Sequence, residues 1–166
     1  MFEAKHQALL EEAQRRGHAN LAQLQLCFRL LSLSSSIDRD CATRLAPHGL
    51  SEGRFIVLFL LHGAGGTLPP HVLAERAGVT RATISGLLDG LQREGLLQRR
   101  SDAGDGRRLQ IMLTAEGTCL AEALFEQHTQ WIGGLFDGLD AGEQLQLSQL
   151  LHKVWQHTDA GRGAHA

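Results

Sequence analysis

Apolar residues recur at helical spacing along most of the chain, and the clearest stripe lies near its middle. Within residues 81–94 they stand at positions i, i+3, i+4 and i+7, which is the spacing of one buried helical face: Ile84, Leu87, Leu88 and Leu91. Thr80 is a good N-cap for this helix, and Gly78 suits the left-handed backbone that ends the helix before it. The pattern predicts a helix, a tight turn and a second helix between residues 73 and 94.

The opposite face of the second predicted helix is small and polar. It carries Ala82, Ser85, Gly86, Asp89 and Arg93. At 1.5 Å per residue, the segment 81–94 is about 21 Å long, which is enough to lie in a DNA major groove. A small polar face suits close contact with such a groove.

A basic hairpin is predicted directly after this helix. Residues 96–101 and 107–113 are strand-like, and the turn formers of residues 102–106 lie between them. Four arginines crowd this short wing: Arg99, Arg100, Arg107 and Arg108. Glycines beside guanidinium groups suit a tip that reaches phosphates or a minor groove. Joined to a helix-turn-helix, the hairpin favours DNA binding over a solvated hairpin without a partner.

Helical patterns also precede this module. Residues 1–16 predict a short amphipathic helix that is frayed or packed against a partner. Residues 20–45 predict a long helix with a broad apolar surface, which Pro47 closes because the residue before a proline is pushed out of the helical region. Residues 51–63 predict a further helix, and Thr67-Leu68 can supply the third strand of a small sheet.

Two more helices are predicted after the wing. Thr114 caps the first, and Asp140 with Glu143 forms a capping-box pattern at the start of the second. Residues 159–166 are expected to be disordered. The terminal helices are apolar and distant from the basic module in sequence, so in a chain this short they most economically need a second subunit.

Composition and charge agree with a DNA-binding module inside an ordinary globular chain. The 166 residues are 43% hydrophobic and 20% charged, with no membrane-length apolar run and no signal-peptide pattern, so a cytoplasmic protein that does not enter membranes is expected. Residues 51–114 hold eight arginines and six acidic residues, a net +2, whereas the rest of the chain carries −4. Three cysteines without metal-ligand spacing suggest reduced thiols.

The sequence carries no pattern of catalytic or metal-binding chemistry. It lacks a serine nucleophile elbow, a phosphate-cradling glycine loop, HExxH and CxxC. Its nine histidines are scattered, and no two lie at i, i+4 within one predicted helix. We therefore expect neither an enzyme nor a bound cofactor or metal.

The run from Leu50 to Gly117 resembles the winged helix of the MarR family of bacterial transcription regulators. The matching pieces are LSEGRF at 50–55, LAERAGVTRATIS at 73–85, GLL at 95–97, DGRR at 105–108 and LTAEG at 113–117. The resemblance implies that Arg107 enters the minor groove while Asp105 holds the wing in shape. Many members carry Arg or Lys where this chain has Gly86 and Gly90, so its recognition helix is poor in bidentate base readers.

The resemblance and the residue pattern together define the expected architecture. The fold is mainly α with a small β-wing, a winged helix-turn-helix flanked by dimerisation helices. Residues 1–49 and 115–166 form the N- and C-terminal dimerisation segments, and residues 50–114 form the DNA-binding domain. The candidate DNA contacts are Thr80, Arg81, Thr83, Ser85, Gly86, Arg93, Arg100, Asp105, Arg107 and Arg108.

A small-molecule effector is the switch that the resemblance favours. Family members often bind aromatic acids or phenolic compounds between the dimer helices and the DNA lobe, and LSEGRF resembles the branch that controls multidrug efflux. Urate-responsive relatives combine an Arg at the position of Arg54 with an N-terminal Trp, and this chain has no Trp before Trp131. A pocket suited to a planar anion is predicted from Arg54, Phe59, His62, His128 and Trp131.

The preferred hypothesis is a homodimeric repressor that a small aromatic or phenolic ligand releases from a palindromic operator. A second hypothesis keeps the fold and makes cysteine oxidation the signal. Cys27 and Cys41 lie fourteen residues apart on one predicted helix, about 21 Å, too far for a disulfide within one subunit. Cys119 paired with Cys27 across a dimer stays open. A third hypothesis is a helical interaction protein whose wing is incidental.

Overall fold

The computed structural model describes residues 3–101 and 109–163, which are mainly helical. In chain order the elements are α1 (Ala4–Arg15), α2 (Leu21–Leu45), a 3-10 turn (Ala46–His48), α3 (Glu52–Gly63), β1 (Thr67–Leu68), α4 (Pro70–Arg76), α5 (Arg81–Arg93), β2 (Leu97–Ser101), β3 (Leu109–Leu113), α6 (Ala115–Gly134), α7 (Ala141–Gln156) and α8 (Asp159–Gly163). The described residues form two compact units, one ending at Thr118 and the other beginning at Cys119. Among the described helices, none combines the length and the apolar character that a membrane span requires.

The small sheet has the three strands that the sequence predicts. Its order is β1-β3-β2, and both pairings are antiparallel. Thr67 pairs with Met112 and Leu68 with Ile111, which confirms the short third strand. The winged helix-turn-helix with a mainly α fold is therefore confirmed.

The core of the first unit lies between α3, α4, α5 and the sheet. Helix α3 is almost entirely apolar from Phe55 to Leu61, and Ser51 caps it by accepting a hydrogen bond from the Arg54 backbone N–H. The largest fully buried side chains of this core come from several helices and from the sheet: Leu45, Val57, Leu58, Leu61, Leu73, Leu88, Leu91, Leu97 and Ile111. This core fixes one face of α5 and leaves the other exposed.

Helix α1 forms where it is predicted, but it packs on α2 of its own chain. Leu10 and Ala13 are buried, and His6 is only 6% exposed. The His6 ring stacks on Phe28 at 4.7 Å between ring centroids, with its Nδ1 atom 3.1 Å from the Ser32 hydroxyl. The expectation of a frayed segment is therefore wrong for this helix, whereas its packing against a partner stays a prediction. An aromatic stack and a buried hydrogen bond hold this helix on α2.

The second unit confirms the predicted capping box and corrects one expectation. At the start of α7, the Asp140 side chain accepts from the Glu143 N–H while the Glu143 side chain accepts from the Asp140 N–H. Residues 159–163, expected to be disordered, form α8. The Thr158 hydroxyl accepts from the Gly161 N–H, and Gly161 fits because a Cβ there would lie 2.2 Å from the Trp155 carbonyl oxygen. Residues 164–166, which are also expected to be disordered, lie outside the described part of the chain.

Candidate nucleic-acid interface

The turn between α4 and α5 is built as the sequence predicts. Gly78 adopts a left-handed backbone with φ of +65°, and the Val79 N–H reaches back to the Ala74 carbonyl at 3.0 Å. The Thr80 hydroxyl then accepts from the Thr83 N–H at 3.1 Å and caps α5. These bonds end α4 and start α5 within four residues, so the turn fixes the direction in which α5 begins.

One face of α5 is buried and the other is exposed. Ile84, Leu88 and Leu91 are buried in the core. The predicted contact residues on this helix and its cap are all exposed: Thr80, Arg81, Thr83, Ser85, Gly86 and Arg93. An added Cβ at Gly86 would meet nothing within 4 Å. The structure therefore brings these six together on one open polar surface.

The wing strands run directly beside this surface. Arg100 is exposed on β2 and pairs in register with Gln110 of β3. Its neighbour Arg99 is half-buried, because its Nη2 atom donates to Oδ1 of Asp89 on α5 at 2.6 Å. The sequence placed Arg99 in the basic wing, and no local signal indicates its pairing with a helix ten residues earlier. Asp105, Arg107 and Arg108 lie outside the described residues.

A cleft of about 960 Å³ opens between α4, α5 and the base of the wing. The apolar wall of the cleft consists of Pro69, Pro70, Ile84 and Leu88. Its polar part includes the basic side chains of His71, Arg81 and Arg99. Apolar surface beside cations is the lining that a planar anion requires. The predicted effector residues do not line this cleft.

The predicted effector residues lie in two groups. Arg54, Phe59 and His62 are on α3 in the first unit, whereas His128 and Trp131 are on α6 in the second. The rings of His128 and Trp131 are in edge-to-face contact, with centroids 4.9 Å apart. Within the first unit, Phe59 is exposed and His62 is half-buried. The pocket itself stays a prediction.

Arg54 is already paired at the C-terminal end of α5. Its Nη1 atom lies 2.6 Å from Oε1 of Glu94, directly after α5. Gly90 is buried beneath the same guanidinium group, so of the two glycines at which many family members carry Arg or Lys only Gly86 is exposed. The sequence did not indicate this contact, although a glycine inside a helix is a signal of close packing.

The cysteines occupy different environments. Cys41 is buried, and burial raises the pKa of its thiol, with the negative charges of Glu52 and Asp38 adding to the effect. Cys27 and Cys119 are exposed. Within residues 3–101 and 109–163, no three His, Cys, Asp or Glu side chains cluster as metal ligands would.

The chain is similar to known DNA-binding regulators along almost its whole length. The model of the MarR family matches residues 48–108. The HTH-type transcriptional repressor YetL of Bacillus subtilis is 33% identical over 153 residues, covering 92% of each chain. A Staphylococcus aureus MepR–DNA complex has a TM-score of 0.66 at 26% identity, covering 78% of this chain and 94% of that one. The organohalide-sensing regulator RdhR-CbdbA1625, in a form with 2,4-dichlorophenol bound, has a TM-score of 0.68 at 23% identity, covering 82% and 81%.

These similarities agree with the geometry of the described residues. The family match spans the helix-turn-helix and the start of the wing, and YetL aligns with the flanking helices as well. A capped helix with an open polar face beside a basic hairpin is the arrangement that such regulators share. The chain therefore belongs to the MarR family of winged-helix, DNA-binding transcription regulators.

Proposed function

We propose that the chain is a homodimeric repressor that reads a palindromic operator with α5 in the major groove and the wing on the neighbouring backbone. The observation that carries this proposal is the exposed polar face of α5, which is capped at Thr80 and fixed from behind by the core. A two-fold dimer places two such helices about 34 Å apart, one turn of B-DNA.

The residues of this surface fit different kinds of contact. Arg81, in the first turn of α5, can donate to a guanine edge, whereas Arg93 and Arg100 suit phosphates. The hydroxyls of Thr83 and Ser85 suit phosphate or base contacts, and Gly86 lets the helix backbone approach the groove closely. In the wing, we assign Arg107 to the minor groove and Asp105 to support of the wing, as the family resemblance implies, and we assign Arg108 to phosphate.

Apolar surface on the helices outside the winged helix supports a dimer. On α7, five apolar side chains are between 42% and 61% exposed: Leu145, Leu150, Leu151, Val154 and Trp155. On α2, the exposed apolar side chains are Leu26, Leu30, Leu31 and Leu33. Contiguous exposed apolar surface of this kind is typical of protein interfaces. We therefore assign residues 1–49 and 115–166 to dimerisation.

The proposed signal is a small aromatic or phenolic ligand. One protein of this fold was determined with 2,4-dichlorophenol bound, which supports a phenol as a suitable class of ligand. The cleft beside α5 is one candidate site, and the effector residues predicted from the sequence are the alternative hypothesis. In either site the ligand must bind more tightly to the conformation that does not fit DNA. Equal affinity for the two conformations would leave the equilibrium between them unchanged.

DNA binding is tested with a fluorescent duplex from the intergenic region beside the gene. We expect Arg81→Ala and Arg107→Ala to weaken binding by about 1–3 kcal/mol each. Arg162→Ala, which removes a cation from α8, serves as the control, and we expect unchanged affinity once size-exclusion chromatography shows that the variant keeps the oligomeric state of the wild type. Wild-type affinity in both Arg81→Ala and Arg107→Ala contradicts the proposed surface, and so does equal affinity of the wild type for a scrambled duplex.

Release by ligand is tested on the same duplex. We expect 2,4-dichlorophenol or benzoate to release the protein, whereas cyclohexanecarboxylate serves as the non-aromatic control. His71→Ala weakens ligand binding if the cleft is the site, and Trp131→Ala weakens it if the predicted set is the site. A variant with all three cysteines changed to serine keeps its response. If that variant no longer responds to the ligand and peroxide releases the wild type from the duplex, the signal is thiol oxidation.

A further inference from the structure

We propose that Arg54 is a positioning residue for DNA recognition, which holds the C-terminal end of α5 against α3 through Gly90 and Glu94. This inference rests on the proposed role of α5 as the reading helix. It assigns to Arg54 a task inside the DNA-binding unit, and it gives a reason for a glycine in the middle of that helix.

Helices α3 and α5 interlock through two glycines, one on each helix. On α3, an added Cβ at Gly53 would lie 3.3 Å from Cδ2 of Leu87, so the leucine of α5 packs directly against the α3 backbone. On α5, an added Cβ at Gly90 would lie 2.4 Å from Nη2 of Arg54 and 2.9 Å from its Cζ. Each helix thus receives one side chain of the other at a position without a side chain.

The guanidinium group of Arg54 joins three parts of the unit. Its Nη1 atom donates to Oε1 of Glu94 at 2.6 Å, and it lies 3.4 Å from the carbonyl oxygen of Gly49 in the turn before α3. The plane of the group covers Gly90. One side chain from the first turn of α3 therefore contacts the preceding turn, the body of α5 and the residue that ends α5.

Gly90 is unfavourable for α5 by itself. A glycine in a helix interior destabilises the helix relative to alanine. The surface at Gly90 is not open, because the Arg54 guanidinium occupies the space that a Cβ would take. We infer that Gly90 is there to admit Arg54.

The contact between Arg54 and Glu94 is suited to orienting the last turn of α5 more than to stabilising the folded protein. The side chains of Arg54 and Glu94 are 25% and 39% exposed, and ion pairs in contact with solvent contribute little to the free energy of unfolding. The last turn of α5, however, carries Arg93, a proposed DNA contact. Holding that turn fixes where Arg93 meets the duplex.

The test compares Arg54→Gln, Gly90→Ala and the double variant in affinity for the intergenic duplex and for a scrambled duplex, together with their melting temperatures. Gly90→Ala leaves Arg54 present but displaces its guanidinium, and it should favour the helix itself. We expect each single variant to lose about three- to tenfold in affinity for the intergenic duplex, and the double variant to lose no more than either. Melting temperatures and binding to the scrambled duplex change little. Gly63→Ala, at an exposed helical glycine with nothing within 4 Å of an added Cβ, keeps wild-type affinity.

Glu94→Gln adds a test in which two explanations predict opposite signs. Removing a negative charge near DNA strengthens binding if only electrostatics operates. The proposed contact predicts weaker binding, because Arg54 loses its charged partner. Wild-type or tighter binding of Gly90→Ala or Glu94→Gln overturns the proposal, and so do losses that multiply in the double variant. If Arg81→Ala still weakens binding, the reading surface on α5 stands even when the role of Arg54 fails.

Discussion

Gly117, at the start of α6, offers the sharpest test of the packing in the winged-helix unit. A Cβ added there would lie 1.9 Å from the carbonyl oxygen of Leu96 and 2.8 Å from its carbonyl carbon. Both atoms are backbone, so no flexible side chain can move away. The same carbonyl accepts a hydrogen bond from the Thr114 N–H at 3.1 Å, and the Thr114 hydroxyl donates to Gly95 at 2.7 Å while it accepts from the Gly117 N–H at 3.0 Å.

The expected cost of Gly117→Ala follows from this geometry. Real Cβ contacts essentially never fall below 3.0 Å, so the start of α6 must move from the start of the wing by more than 1 Å. Overpacking of this kind costs roughly 1–3 kcal/mol, and loss of one hydrogen bond at the junction adds about 1 kcal/mol. For a chain of this length, the sum of about 2–4 kcal/mol lowers the melting temperature by roughly 4–16 °C.

The measurement is thermal and urea unfolding at one fixed protein concentration, because the proposed dimer would make apparent stability depend on concentration. Gly133→Ala in the same helix is the matched control. An added Cβ there meets nothing within 4 Å, so its helix propensity should stabilise the protein by up to about 1 kcal/mol. If Gly117→Ala unfolds at the wild-type temperature, or if both variants shift it equally, the close approach of α6 to Leu96 is refuted.

Two further predictions concern titratable groups. The Lys5 ammonium and the Ser35 hydroxyl lower the pKa of the Glu3 carboxyl from 4.5 to about 2, so the ionised Glu3 stabilises the docking of α1 above pH 4.5 and this contribution is lost as the pH falls through 2. We expect hydrogen-exchange protection of α1 to fall over that range more in the wild type than in Glu3→Gln, and identical profiles would count against it. Burial raises the pKa of the Cys41 thiol, so this cysteine should react with Ellman's reagent more slowly than Cys27 at pH 8; equal rates in single-cysteine variants would contradict this.

The elements that sequence analysis predicted well are those that local chemistry decides. The cap at Thr80, the left-handed turn at Gly78 and the capping box at Asp140 each depend on residues no more than five positions apart. The buried stripe of α5 follows from helical periodicity alone. Such signals are complete within one segment, so the helix-turn-helix and its exposed face could be predicted without a structure.

The features that the sequence did not indicate depend on contacts between distant segments. His6 meets Phe28 and Ser32 across more than twenty residues, and that contact turns an apparently loose N-terminal helix into a packed one. Arg54 meets Glu94 across forty residues. The place of Arg54 in an anion pocket stays a prediction from residue chemistry, and the sequence does not reveal that its guanidinium group is paired with Glu94.

The two ion pairs at α5 also explain how a helix with carboxylates on and directly after it suits a phosphate backbone. Asp89 lies on the exposed face of α5 and Glu94 directly follows the helix, where isolated carboxylates would repel DNA. Each is paired at 2.6 Å with an arginine of a neighbouring element, Asp89 with Arg99 of the wing and Glu94 with Arg54 of α3. Two of the eight arginines in residues 51–114 therefore neutralise the carboxylates on and directly after α5 and connect this helix to the wing and to α3. The modest net charge of the module thus understates its fitness for DNA, because the position of each charge decides which groups face the duplex.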